Sequence, residues 1–264
     1  MTMELLEYSF FQNAVAGVLL ISVVCAVIGV YVVTRRMVFI AGGITHTCFG
    51  GLGMGYYLGW SPMAMAALFA VAGGLSVNAL SRGRVRRDSA IAVVWAIGMA
   101  LGILFVFLTP GYVPELNSFL FGNVLNITRA DLWLFASLAV LALVVYAVFG
   151  RIIMAVSFDE DFARTRYLPV SVVNTAMMVL VAVGIVLMIR MAGIMLLMSL
   201  ISLPQMTAER LSRRYSGIMA VSAFVAAATC LGGLWLAVWI DVPASAVIVL
   251  LQAAAYGVTA VCRS

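Results

Sequence analysis

Val38-Phe39-Ile40-Ala41-Gly42-Gly43-Ile44-Thr45-His46-Thr47-Cys48-Phe49-Gly50-Gly51-Leu52-Gly53-Met54-Gly55 runs without an acid or an arginine and holds the only histidine of the chain. Its length suits a bilayer span, which takes about 20 apolar residues to cross about 30 Å of hydrocarbon. On a helix, Gly42, His46 and Gly50 share one face at i, i+4 spacing. Gly43, Thr47, Gly51, Gly55 and Gly59 share the adjacent one. Small residues at that period let neighbouring helix backbones approach closely. The pattern predicts a helix central to a bundle or at a subunit seam, with His46 turned toward protein or a water-filled path.

Similar runs continue on both sides. Candidate spans are Ala14–Val33, Val38–Leu58, Met63–Leu80, Ala90–Leu108, Leu132–Phe149, Val170–Met188, Gly193–Thr207, Ile218–Val238 and Ala244–Val261. The seventh is short and contains Pro204, so it is a half-helix or it merges with the sixth, and Gly193 and Pro204 are candidates for a break near the path. Apolar residues make up 65% of the chain and charged residues 9%, where soluble domains carry roughly a quarter charged. These features predict an all-α, polytopic membrane protein of eight to nine transmembrane helices, with residues 1–264 forming a single transmembrane domain.

Met1–Asn13 contains Glu4 and Glu7 and no basic residue, unlike the positive start of a signal peptide, so the first helix is expected to be retained. With the N-terminus outside, nine crossings place Arg35, Arg36, Arg82, Arg84, Arg86, Arg87, Arg151, Arg164, Arg166, Arg210, Arg213, Arg214 and Arg263 on one side. Only Arg129 and Arg190 fall on the other. The arginine-rich side is cytoplasmic by the positive-inside rule. The outer acids, Glu115, Asp131 and Asp241 among them, are solvated loop residues or a mouth that concentrates cations.

Several function classes fall away. The chain has no lysine, so it cannot carry a P-loop of its own. Its net charge of +5 is spread over short loops rather than a basic domain with interleaved aromatics, which argues against nucleic acid as a partner. Cys25, Cys48, Cys230 and Cys262 show no C-x-x-C spacing and read as packing residues. The methionines Met177, Met178, Met188, Met191, Met195 and Met198 read as fillers of irregular gaps rather than copper(I) ligands. Asn174 and Gln252, polar residues within spans, are expected to bond to neighbouring helices.

His46 carries the chemistry. Imidazole binds zinc, manganese and iron, so a translocated ion explains its place; a hydrogen bond to a neighbouring helix explains it equally well. One histidine cannot make a closed tetrahedral site, whereas a pathway site must release what it binds. Between the fifth and sixth spans, Ser157 is a candidate cap for a short helix with Asp159, Glu160 and Asp161 in its first turn. Phe158 and Phe162 at i, i+4 would give it an apolar face, suited to docking in a groove on another protein or to lying on the membrane surface.

The order of segments resembles the membrane permeases of ABC importers for zinc, manganese and iron, the ABC-3 family. Arg35-Arg36-Met37 through His46 to Gly50-Gly51 carries the resemblance. So do Phe11-Gln12-Asn13-Ala14, Phe121-Gly122-Asn123-Val124-Leu125, Phe158-Asp159-Glu160-Asp161-Phe162-Ala163, Leu203-Pro204-Gln205-Met206-Thr207-Ala208 and Asp241-Val242-Pro243-Ala244-Ser245-Ala246. The resemblance implies a type II-like metal importer permease in a bacterial cytoplasmic (inner) membrane. It has no catalysis and no bound cofactor of its own, and its cargo is a divalent metal. Two copies would pair around one path, each on a cytoplasmic ATPase that binds the ATP, with an extracytoplasmic metal-binding protein outside. It makes His46 the metal contact, and Gly42, Gly43, Thr45, Thr47 and Gly50 its path and packing surroundings. The cytoplasmic segment at about 151–168 becomes the ATPase coupling element, through Phe158, Asp159, Phe162, Ala163 and Arg164. The family's aspartate one turn before the histidine is Gly42 here. A lone imidazole suits zinc or ferrous iron better than manganese; Thr45, Thr47, Cys48 or a backbone carbonyl are candidate substitutes, but Thr47 and Cys48 are not on the His46 face, and the simplest source is another helix or a second copy. An ion-gradient-driven secondary transporter is the alternative, disfavoured because no span has a central acid. An intramembrane enzyme is disfavoured by the single histidine.

Overall fold

The computed structural model describes residues 8–81, 86–110, 122, 124 and 127–262. The described residues are helical, with no strand among them. The helices are α1 (Ser9–Thr34), α2 (Val38–Leu58), α3 (Pro62–Ser81), α4 (Arg87–Leu108), α5 (Arg129–Phe158), α6 (Glu160–Thr165), α7 (Val170–Leu211), α8 (Tyr215–Ile240) and α9 (Ala244–Cys262). Eight of them, all but α6, are long and apolar enough to cross a membrane. Glu4, Glu7, Arg82, Arg84, Glu115, Phe121, Asn123, Leu125 and Arg263 lie outside the described residues.

Two compact units divide the chain: Met1–Arg35 with Asn117–Phe158 and Leu187–Ser264, and Arg36–Leu116 with Asp159–Val186. In the second unit α2 is the hub. A Cβ at Gly55 would stand 2.6 Å from Pro62 Cα, and one at Gly51 would meet the Met65 carbonyl oxygen of α3. On another side, a Cβ at Gly53 would stand 2.5 Å from the Gly102 carbonyl oxygen, and one at Gly98 2.6 Å from Thr47 Cα. Glycines on α2 thus bring α3 and α4 to backbone contact, which is where packing between membrane helices draws its energy.

The sixth and seventh spans are fused into α7, which begins in the second unit and passes into the first at Leu187. Its 42 residues would make a straight rod of about 63 Å, twice a hydrocarbon layer of about 30 Å. The rod is broken at Gly193, whose φ of 71° and ψ of 170° are non-helical. Residues on either side of the break converge on Cys25 of α1. The Cys25 thiol lies 3.3 Å from Met188 Sδ, and Gln205 Nε2 donates to the Cys25 carbonyl oxygen at 2.8 Å. A straight helix would set Met188 and Gln205 about 25 Å apart. The chain therefore doubles back at Gly193, so α7 is two rods rather than one. Pro204 sits inside the second rod without interrupting it.

One end of that reversal is held by charge. Asp131 Oδ1 pairs with Arg190 Nη1 at 3.1 Å. Its Oδ2 accepts from Thr128 N at 3.1 Å and from Thr128 Oγ1 at 2.7 Å, while Asp131 N donates to Thr128 Oγ1 at 3.3 Å. This reciprocal Thr-x-x-Asp arrangement caps α5. Nearby, Asn13 Nδ2 donates to the Ile127 carbonyl oxygen at 3.1 Å, and a Cβ at Gly122 would strike the Ala192 and Gly193 backbone. Asp131→Ala removes the carboxylate half of the capping box and the partner of Arg190, and is expected to destabilise by about 1–2 kcal/mol, since the arginine is half exposed and a cap is worth about 1 kcal/mol. A thermal melt of the purified variant checks this; an unchanged midpoint would mean the pair holds nothing.

The polar residues inside spans find neighbours. Asn174 Nδ2 donates to Glu160 Oε1 at 2.9 Å, and Gln252 Nε2 lies 3.9 Å from Cys230 Sγ. Met178 and Met191 pack, since a Cβ at Gly74 would stand 3.2 Å from Met178 Cγ, and one at Gly17 3.3 Å from Met191 Sδ, whereas Met195 is half exposed.

Candidate functional site

His46 stands midway along α2. Its imidazole is partly buried and lies flat on the indole of Trp95 in α4, with centroids 4.1 Å apart and planes 7° from parallel. Its Nδ1 is buried and has no hydrogen-bond partner among the described residues. The histidine is thus held by a ring face rather than by a polar anchor through Nδ1. No neighbouring group among the described residues uses that nitrogen.

The other α2 residues singled out by sequence surround it in different capacities. Gly42, Gly43, Thr45, Thr47 and Gly50 are all buried. Thr45 Oγ1 donates to Ala41 O at 2.7 Å, Thr47 Oγ1 to Gly43 O at 2.7 Å and Cys48 Sγ to Ile44 O at 3.1 Å. All three side chains close on the carbonyl one turn back, which spends their donors on their own helix. Thr47 also fills the space between α3 and α4: a Cβ at Gly73 would stand 2.8 Å from its Cγ2. Gly50 admits the Gly98 carbonyl oxygen, 2.8 Å from where its Cβ would be. Among the described residues no group of three or more His, Cys, Asp or Glu is placed to hold a metal ion. Thr45, Thr47 and Cys48 spend their donors within α2, and His46 is the residue of the group whose side-chain nitrogen is left without a hydrogen bond among the described residues. Trp95 was not evident as part of the site: an aromatic in an apolar span looks the same whether it faces lipid or stacks on a histidine.

The segment at 151–168 differs from the expected form. Residues 151–158 continue α5, and Ser157 lies within it, donating to Ile153 O at 2.6 Å. Asp159 is the cap instead: its backbone is extended (φ −150°, ψ 102°) and its Oδ1 accepts from Phe162 N at 2.9 Å. Phe158 and Phe162 therefore stand on different helices and do not form one i, i+4 face. Asp159 takes the cap because its carboxylate reaches the Phe162 amide three residues on, while the serine hydroxyl satisfies itself inside an unbroken turn. Both rings are exposed, Phe158 at 70% and Phe162 at 51%. Ala163 is fully buried, so one side of the short helix is covered. Arg164 reaches Glu160 at 3.8 Å across a solvated i, i+4 pair, and the Arg166 guanidinium lies 5.4 Å from the centroid of the Phe162 ring.

Residues 7–263 match the model of the ABC 3 transport family. A membrane protein of Synechocystis is 35% identical over 96% of this chain and 90% of its own length. The manganese transport system membrane protein MntC of Halalkalibacterium halodurans is 29% identical over 94% of this chain and 85% of its own. Among solved structures, a chain of PsaBC from Streptococcus pneumoniae in complex with Fab superposes with a TM-score of 0.87 at 22% identity, covering 98% of this chain and 95% of that one.

Proposed function

Because the chain belongs to the ABC 3 transport family, and is a multi-pass, all-α membrane protein, we propose that it is the permease of an ATP-driven importer of divalent transition metals. His46 is the imidazole that meets the passing ion. The observation that carries this role is the buried, unpartnered Nδ1 of a histidine held flat on α2. A structural histidine in a membrane helix would have spent that nitrogen on a neighbour. A single ligand with no carboxylate beside it binds briefly, as a conduit requires.

Two copies would complete the path, since one imidazole leaves most of a metal's coordination unfilled. The exposed Phe162 on α6, with Asp159, Ala163 and Arg164 holding that helix in place and Phe158 at the end of α5, is the surface for the ATPase. An extracytoplasmic binding protein would load the path and select its cargo. Zinc is favoured by the lone imidazole; manganese is favoured by the name of the Halalkalibacterium relative.

The test is uptake by vesicles holding the permease with its ATPase and binding protein, supplied in turn with zinc, manganese and ferrous iron. ATP-dependent accumulation that survives collapse of the ion gradients supports the proposal. Accumulation that follows the gradient and ignores ATP would establish the secondary transporter instead. Phe162→Ala, which removes a half-exposed ring, is expected to cut transport-stimulated ATPase activity about tenfold, as loss of an aromatic anchor worth about 1.4 kcal/mol would. Full stimulated activity in that variant would move the docking surface elsewhere.

A further inference from the structure

We propose that Trp95 is a positioning residue for His46, and that its indole face sets the plane in which a cation meets the imidazole. The inference rests on His46 being the metal contact.

Metal-binding histidines usually donate their second ring nitrogen to a carboxylate or carbonyl, which fixes the ring's orientation and raises its basicity. His46 has no such bond at Nδ1 among the described residues. What fixes it is the stack, nearly parallel and 4.1 Å between centroids. A metal binds imidazole in the plane of the ring, along a nitrogen lone pair, so an indole parallel to that plane leaves the approach open while preventing the ring from tipping. A ring bearing a bound cation is electron-poor, and an indole face attracts positive charge. The stack therefore strengthens when the ion arrives, without adding a ligand that must later be broken.

The platform is itself rigid. Ile91, Trp95, Gly98 and Gly102 follow one another at i, i+4, i+7 and i+11 on α4, one face of a helix. Ile91 meets α2 at Gly43, where a Cβ would stand 3.0 Å from its Cγ2. A Cβ at Gly98 would stand 3.3 Å from the His46 carbonyl oxygen, and Gly102 admits the Phe49 ring. Trp95 is thus bracketed by contacts that lock α4 to α2, and its ring height over His46 is fixed by backbone packing. Its 41% exposure is more than a core filler would keep.

The experiment uses the permease–ATPase complex in two arms. In the first, Trp60, Trp133, Trp235 and Trp239 are replaced by Phe, leaving Trp95 as the sole indole of this chain, and zinc alone is titrated, with the ATPase's own emission subtracted from a matched Trp95→Phe complex. A saturable change in emission is expected, and it should vanish with His46→Ala. In the second, Trp95→Phe, which keeps a flat face, is compared with Trp95→Leu, which keeps only bulk. The leucine variant is expected to raise the half-saturating zinc concentration by about 10-fold or more, in the range found for residues that orient metal ligands; phenylalanine should restore it to within about threefold. Emission blind to zinc, or leucine and phenylalanine behaving alike, overturns the role of Trp95. If His46→Ala transports normally, the reading of His46 falls first and the two failures are told apart. Should the leucine variant fail to fold, the emission arm and the phenylalanine variant still decide.

Discussion

Cells whose only metal importer carries His46→Ala are expected to accumulate zinc, manganese and iron at the background rate, while the variant reaches the membrane in normal amounts. The two halves of that result have separate physical causes. Transport fails because the structure offers no second His, Cys or carboxylate cluster among the described residues to take the imidazole's place. Folding survives because Nδ1 has no hydrogen bond to lose. The main interaction removed is the stack on Trp95, and an aromatic pair is worth about 0.5–1.5 kcal/mol beyond its buried area. The α2 contacts that hold the unit together run through Gly51, Gly53 and Gly55 and are untouched. Metal uptake and detergent-solubilised yield, measured on the same cultures, separate the outcomes. Normal uptake would remove His46 from the path; lost uptake with lost protein would make it a structural residue.

The spans were legible in the sequence because membrane crossing imposes a length and an apolar composition that few other constraints imitate. α2 was anticipated to the residue at Val38–Leu58, and α9 within one residue. α5 runs nine residues past Phe149 into its cytoplasmic end, since hydropathy reports where lipid stops and not where hydrogen bonding stops. The doubling back at Gly193 was visible as a short apolar run with a glycine before it. Hydropathy could not separate a reversal from a kink, because that depends on which residues of α1 the two rods meet. The cap at Asp159 was missed for a related reason: Ser157 and Asp159 are both good caps, and the choice follows from how far α5 extends. Of the site, His46 and its glycines could be read from i, i+4 spacing. Trp95 could not, because stacking is a contact between helices and leaves no period in either one. The Arg190–Asp131 pair joins residues far apart in the chain and is equally silent in sequence.

Gly51→Val is expected to yield almost no folded protein. A Cβ at Gly51 would meet the Met65 carbonyl oxygen and stand 2.7 Å from Ala66 Cα. These are backbone atoms of α3, so no rotamer change relieves the overlap, and the two helices must move apart along their length. Separation forfeits the close packing that substitutes for a hydrophobic drive between helices in lipid. A β-branched side chain adds two further carbons to the same gap, and a cost above about 4 kcal/mol places the variant among the exceptional destabilisers. Gly257 supplies the control, because a Cβ there meets nothing within 4 Å. Gly257→Ala should leave the protein unchanged or up to about 1 kcal/mol more stable through helix propensity alone. Gly51→Ala should fall between, since it makes the first overlap without the branch. Yield of monodisperse protein and thermal midpoint, measured across the three variants, test the order. Gly51→Val melting with the wild type would mean that α3 does not rest on α2 at all. The frame that holds His46 against Trp95 would then need another source of rigidity.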